Sequence, residues 1–90
     1  MAQLLIIVYE LHKESTNKDY QAIVKIIKEY DYLKIGGSEY CVYTEDSPNT
    51  IVDKLKPYFE NTEKLLVVKI TNPKQGLLTE DQWKWINDRI

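Results

Sequence analysis

Apolar positions along this chain fall into two patterns. Leu4-Leu5-Ile6-Ile7-Val8-Tyr9 is an unbroken run, closed by Glu10-Leu11. Such a run predicts a strand buried on both faces. Leu65 to Ile70 repeats the pattern and predicts a second strand of the same kind. Between them, Tyr20, Ile23, Val24 and Ile27 recur at helical spacing, with Lys25, Lys28 and Glu29 off the stripe. The polar run His12 to Asn17 is a loop leading into that helix. Thr16 or Asn17 is its N-cap, and Asp19 lies in the first turn, where the helix dipole favours an anion.

Tyr32 to Ile35, the turn signal Gly36-Gly37 and Glu39 to Thr44 read as a hairpin. Ser47 caps a second helix, with Pro48 at its first position, where a missing N–H costs nothing. Ile51, Val52 and Leu55 face inward. Pro57 ends that helix near Lys56, and Tyr58 and Phe59 fold back as a single turn. Asn72-Pro73 and Gly76 mark a loop. Thr79 and Gln82 then form a capping box for a third helix, with Leu78 stapled onto Trp83. The order is β-α-β-β-α-β followed by a helix. This places the chain in the α+β class, as a ferredoxin-like βαββαβ sandwich with an additional C-terminal helix. In that arrangement the first and third strands are central and two helices cover one sheet face.

The two-sided apolar strands then pose a packing problem. Two helices cover one face, which leaves large apolar side chains on the other. Either the third helix or a second copy of the chain must cover them, so a homodimer is expected. Trp83 and Trp85, two positions apart, should point to nearly opposite sides of that helix.

Composition narrows the function classes. Ninety residues make one domain with a modest core. A 43% hydrophobic and 29% charged chain is not disordered. The net charge of -2 means that contact with a phosphate backbone needs a local basic patch. Lys25 with Lys28, and Lys54 with Lys56, are small clusters diluted by Glu29, Asp31 and Asp53, and read as solvated helix faces. The lone Cys41 excludes an intrachain disulfide and fits a cytoplasmic protein. The first apolar run lacks a basic flank and is too short for a signal peptide or membrane span.

Tyr9-Glu10-Leu11, Tyr20, the segment Ser38-Glu39-Tyr40-Cys41-Val42-Tyr43-Thr44, Leu65 to Ile70, and Gly76-Leu77-Leu78 with Trp83 and Ile86 form a series spanning nearly the whole chain. In these residues it resembles the small proteins labelled "SinR-like". More distantly it is similar to the small CRISPR-associated nuclease at the dimeric core of spacer integration, and to the virulence-associated D-type ribonuclease toxins. The resemblance implies a ferredoxin-like homodimer acting on nucleic acid or nucleotide phosphodiesters. It further implies a divalent metal, Mg²⁺ or Mn²⁺, held by strand-end carboxylates of two protomers. Glu10 stands where those nucleases carry an aspartate, one methylene shorter, and Mg²⁺ is sensitive to such a change. Ser38 alone matches their serine-containing second motif. Tyr9 and Tyr40 complete the implied binding residues.

Read from the residues alone, Glu10 and His12 share a side if the strand continues, and two copies would then supply four ligands. The plain alternative is a solvated strand-end acid and a loop histidine. Cys41, on a strand with no base placed beside it, reads as a buried inert thiol. Tyr40 and Tyr43 lie on opposite sheet faces, so they make no common stacking platform and read as packing residues. Gly36-Gly37 joins two strands and opens no helix, so it is not a phosphate loop. Two functions follow. One is a dimer that interacts with nucleic acid or nucleotide phosphodiesters, with weak metal-dependent cleavage open to it through Glu10 as catalytic ligand and His12 as second ligand. The other is a non-catalytic dimeric binding module for a protein partner or small nucleotide.

Overall fold

A computed structural model describes residues 1–90 as a small α+β domain with a four-stranded antiparallel sheet and three helices. In chain order these are β1 (Gln3–Glu10), α1 (Lys18–Ile27), β2 (Asp31–Gly36), β3 (Glu39–Thr44), α2 (Pro48–Leu55), β4 (Lys64–Lys69) and α3 (Glu80–Asn87). A 3-10 turn, Lys56–Tyr58, follows α2 directly. The sheet order is β2-β3-β1-β4, so β1 and β3 are central and β2 and β4 are the two edges.

Local chemistry sets the element ends. Asn17 Oδ1 accepts the Asp19 N–H at 2.8 Å and opens α1. Ser47 Oγ accepts the Thr50 N–H at 3.2 Å and opens α2, with Pro48 as its first residue. Thr79 Oγ1 accepts from Gln82 N–H at 3.1 Å while Gln82 Oε1 accepts from Thr79 N–H at 3.0 Å, a reciprocal capping box. Pro57 stops α2, and the chain tightens so that Tyr58 and Phe59 pack back on the core.

The sheet separates two apolar clusters. On one face, Leu5, Ile7 and Tyr9 of β1 and Tyr40 and Val42 of β3 pack against Ile23, Ile27, Ile51 and Leu55 of α1 and α2. Each such side chain contributes about 1.5–3 kcal/mol on burial. On the other face, Leu4, Cys41 and Ile86 form a smaller cluster with Leu33, Ile35, Trp83 and Trp85 around it. Helix α3 therefore covers the β2–β3 half of this second face. The β1–β4 half stays open, and Leu66 and Val68 are 59% and 43% exposed there.

Two expectations are corrected. Trp83 and Trp85 do not point to opposite environments. Both are half-buried against the same cluster, because α3 lies along the sheet and both of its flanks meet apolar surface. The hairpin turn is Gly37-Ser38, one residue later than the Gly36-Gly37 expected, and Gly36 belongs to β2 beside a register shift. No glycine uses a positive φ. A Cβ at Gly36 would meet only the end of the flexible Glu39 side chain, which can move aside, so closeness does not demand glycine there either.

Candidate functional site

At the end of β1 the structure joins the two candidate metal ligands. His12 Nε2 lies 3.0 Å from Glu10 Oε2, and His12 Nδ1 lies 3.3 Å from Thr62 Oγ1. Both ring nitrogens are engaged, so the imidazole is oriented between the end of β1 and the turn before β4. Both side chains are about half exposed, at 46% for His12 and 58% for Glu10. A contact this wet contributes little to stability.

The backbone beneath this pair is held by two residues that sequence reasoning passed over. Glu63 is buried, and its Oε2 accepts the His12 N–H at 2.7 Å. Its Oε1 accepts the Glu60 N–H at 2.9 Å and the Lys13 ammonium at 2.9 Å. Lys13 Nζ also donates to the Tyr58 carbonyl at 2.9 Å. Burial pushes the Glu63 carboxyl up, but the Glu60 and His12 N–H groups and Lys13 outweigh it and hold the pKa down at about 2. This buried pair ties the loop after β1 to the start of β4. It thereby carries His12 next to Glu10. The only local signal was a glutamate three residues after Glu60 across Asn61-Thr62. The lysine lies 50 positions away, beyond any short-range pattern.

The remaining candidates sit elsewhere. Tyr9 and Tyr40 lie in the main core, 5% and 1% exposed, with rings stacked at 6.3 Å between centroids. Burial, then the neighbouring Tyr40, pushes the Tyr9 hydroxyl pKa above the usual tyrosine range. The structure thus puts Tyr9 and Tyr40 on the helix-covered face and Glu10 on the opposite one. Ser38, in the hairpin turn, accepts the Tyr9 N–H through its carbonyl at 3.2 Å, and its own N–H donates to Glu39. Ser38 is a backbone link to Tyr9 and makes no side-chain contact with Glu10. Cys41 is buried and its thiol is pushed up to about 11 by that burial, which suits an inert side chain.

A depression of about 340 Å³ adjoins Glu10, lined by Val8, Tyr9, Glu10, Lys64, Leu65 and Leu66. It runs from the charged end of β1 onto the open apolar half of the sheet. A larger hollow of about 510 Å³ follows the outer side of α1 near Tyr20, Val24 and Lys28, and contains none of the candidate site residues.

No group of three or more His, Cys, Asp or Glu side chains is arranged to hold a metal. Glu10 and His12 provide two donors, already bonded to each other. That set does not fit a resident Mg²⁺, which takes near-octahedral oxygen coordination. No helix is long and apolar enough to cross a membrane. The chain matches no protein-family model, no curated protein and no solved structure.

Proposed function

We propose that this protein is a non-catalytic binding module of ferredoxin-like topology that works as a homodimer. Central first and third strands, with α1 and α2 together on one face, support that topology. The observation that carries the dimer is the exposure of the apolar side chains Leu66 and Val68 on β4, an edge strand with no neighbour on its outer side. An apolar patch rimmed by charge, here Glu10 and Lys64, marks an interaction surface. A domain this small gains much of its burial from pairing with itself. The depression at the rim then lies where a protein partner or a small nucleotide would be bound.

The Glu10–His12 pair favours a second reading, action on nucleic acid or nucleotide phosphodiesters with Mg²⁺ or Mn²⁺. That reading needs further metal donors from a second copy. The test is sedimentation equilibrium over a range of concentrations, with calorimetric titration of Mn²⁺ into wild type and Glu10→Gln. A dimer that takes up no Mn²⁺ supports the binding module. Mn²⁺ uptake lost in Glu10→Gln, with cleavage of single-stranded RNA or duplex DNA, moves the account to the second reading. A 10.6 kDa species at every concentration overturns the dimer.

A further inference from the structure

The free edge of the sheet specifies how a second copy would join. Ile70 N–H donates to the Leu4 carbonyl at 2.9 Å, and the ladder runs from Leu5 opposite Lys69 to Glu10 opposite Lys64. Bonded and non-bonded pairs alternate in an antiparallel ladder. Lys64, Leu66 and Val68 therefore bond to β1, while Leu65, Val67 and Lys69 turn their N–H and C=O groups outward. No turn, loop or side-chain hydrogen bond occupies those outward groups. The strand has no proline and no register shift. An unblunted apolar edge of this kind is a template for another strand.

Resting on the dimer reading above, we infer that two copies join β4 to β4, antiparallel, with Val67 on the two-fold axis, making one continuous eight-stranded sheet. Symmetry restricts the register. Opposite residues in a ladder share a sheet face, and a two-fold axis normal to the sheet keeps each face. Paired positions must then be an even number apart, with a residue on the axis. Lys64 and Lys69 are an odd number apart, so the two cationic ends never stand directly opposite each other.

Centring on Val67 uses every outward group of the strand. Val67 pairs with the partner's Val67, and Leu65 with the partner's Lys69 in both directions. Each of these three pairs exchanges two backbone hydrogen bonds. Centring on Leu66 would call on Glu63, whose N–H is already bonded to the Glu60 carbonyl at 3.0 Å and whose carboxylate is buried on Lys13. The Val67 register also sets Leu66 opposite the partner's Val68 in a non-hydrogen-bonded pair, where side chains approach most closely. The two most exposed apolar side chains of β4 thus meet across the axis on the open face.

The experiment is residue-resolved amide exchange on the wild-type chain at several concentrations, with mass measured in parallel. The expected result is a dimer in which the Leu65, Val67 and Lys69 amides are protected and lose that protection on dilution to monomer. The Leu66 and Val68 amides, bonded within each copy, stay protected throughout. Val67→Pro removes the axial N–H without touching the ladder to β1, and the folded variant should be monomeric. A dimer whose Leu65, Val67 and Lys69 amides exchange freely overturns edge pairing and leaves the dimer reading standing. A monomer at all concentrations overturns both.

Discussion

The two edges of the sheet are treated differently. Edge β2 is blunted. Its pairing with β3 slips between Lys34 and Gly36, a lysine interrupts its middle, and Asp31 is held by Arg89 of the C-terminal segment through Nε at 2.9 Å and Nη2 at 3.2 Å. The Arg89 guanidinium also lies 3.7 Å over the Trp85 ring, so α3 is fastened along this side. Edge β4 has none of these devices. Its lysines stand at the two ends, and the four residues between them are Leu65, Leu66, Val67 and Val68. A bulge, inward or interrupting charge and a covering helix are the means by which proteins stop edges from pairing. In the proposed dimer, their presence on one edge and absence from the other assigns the pairing to β4.

Removing the cover is the most direct way to break this contrast. Deleting residues from Thr79 onward strips Ile86 and both tryptophans from the second face. Loss of one buried Ile or Trp typically costs about 2–5 kcal/mol. The truncated chain should melt far lower and aggregate; thermal unfolding and light scattering would show it. An unchanged melting temperature would mean that α3 is an accessory to the fold.

The next largest effect is expected where β4 is anchored. Glu63→Gln leaves Lys13 buried without its counter-charge, and breaking a buried pair from one side costs about 3–5 kcal/mol. The same carboxylate gives wild type an acid sensitivity. Its pKa is about 2 in the folded chain, against an ordinary value of 4.5. Its stabilisation is complete above the unfolded value and is lost as pH falls from there through the folded one. Denaturant midpoints measured down this range should fall more steeply for wild type than for Glu63→Gln. Parallel curves would remove Glu63 from the account.

Arg89→Ala should have a smaller effect. Its contact with Asp31 is partly exposed and, with stacking on Trp85, contributes about 1 kcal/mol. The variant should unfold slightly earlier in urea, and amides of β2 should exchange faster while those of β4 are unaffected.

Much of this fold is legible locally. Asn17, Ser47-Pro48 and Thr79 with Gln82 announce their helices because capping is a short-range exchange of hydrogen bonds. The run Leu4 to Tyr9 announces a central strand because both of its faces are apolar. The half-face left open is not legible in this way, since the amphipathicity of α3 says that it must pack without saying over which strands. The site is less legible than the fold. The closeness of Glu10 and His12 follows from their spacing, but the Thr62 contact and the Lys13–Glu63 clamp join segments some 50 positions apart. Tyr9 is adjacent to Glu10 in sequence and on the other side of the sheet in space, because alternation along a strand separates neighbours.

In the proposed dimer the β4 side, and not the β2 side, joins the two copies. This arrangement is tested most directly by comparing the solution masses of Leu66→Lys and Tyr32→Lys with wild type. Tyr32 is 39% exposed on the blunted edge and Leu66 59% exposed on the open one, so both sites accept a lysine in the monomer. Wild type and Tyr32→Lys should be dimeric, and Leu66→Lys should be a 10.6 kDa monomer with an intact fold. A Leu66→Lys variant that stays dimeric, or a Tyr32→Lys variant that dissociates, would contradict it.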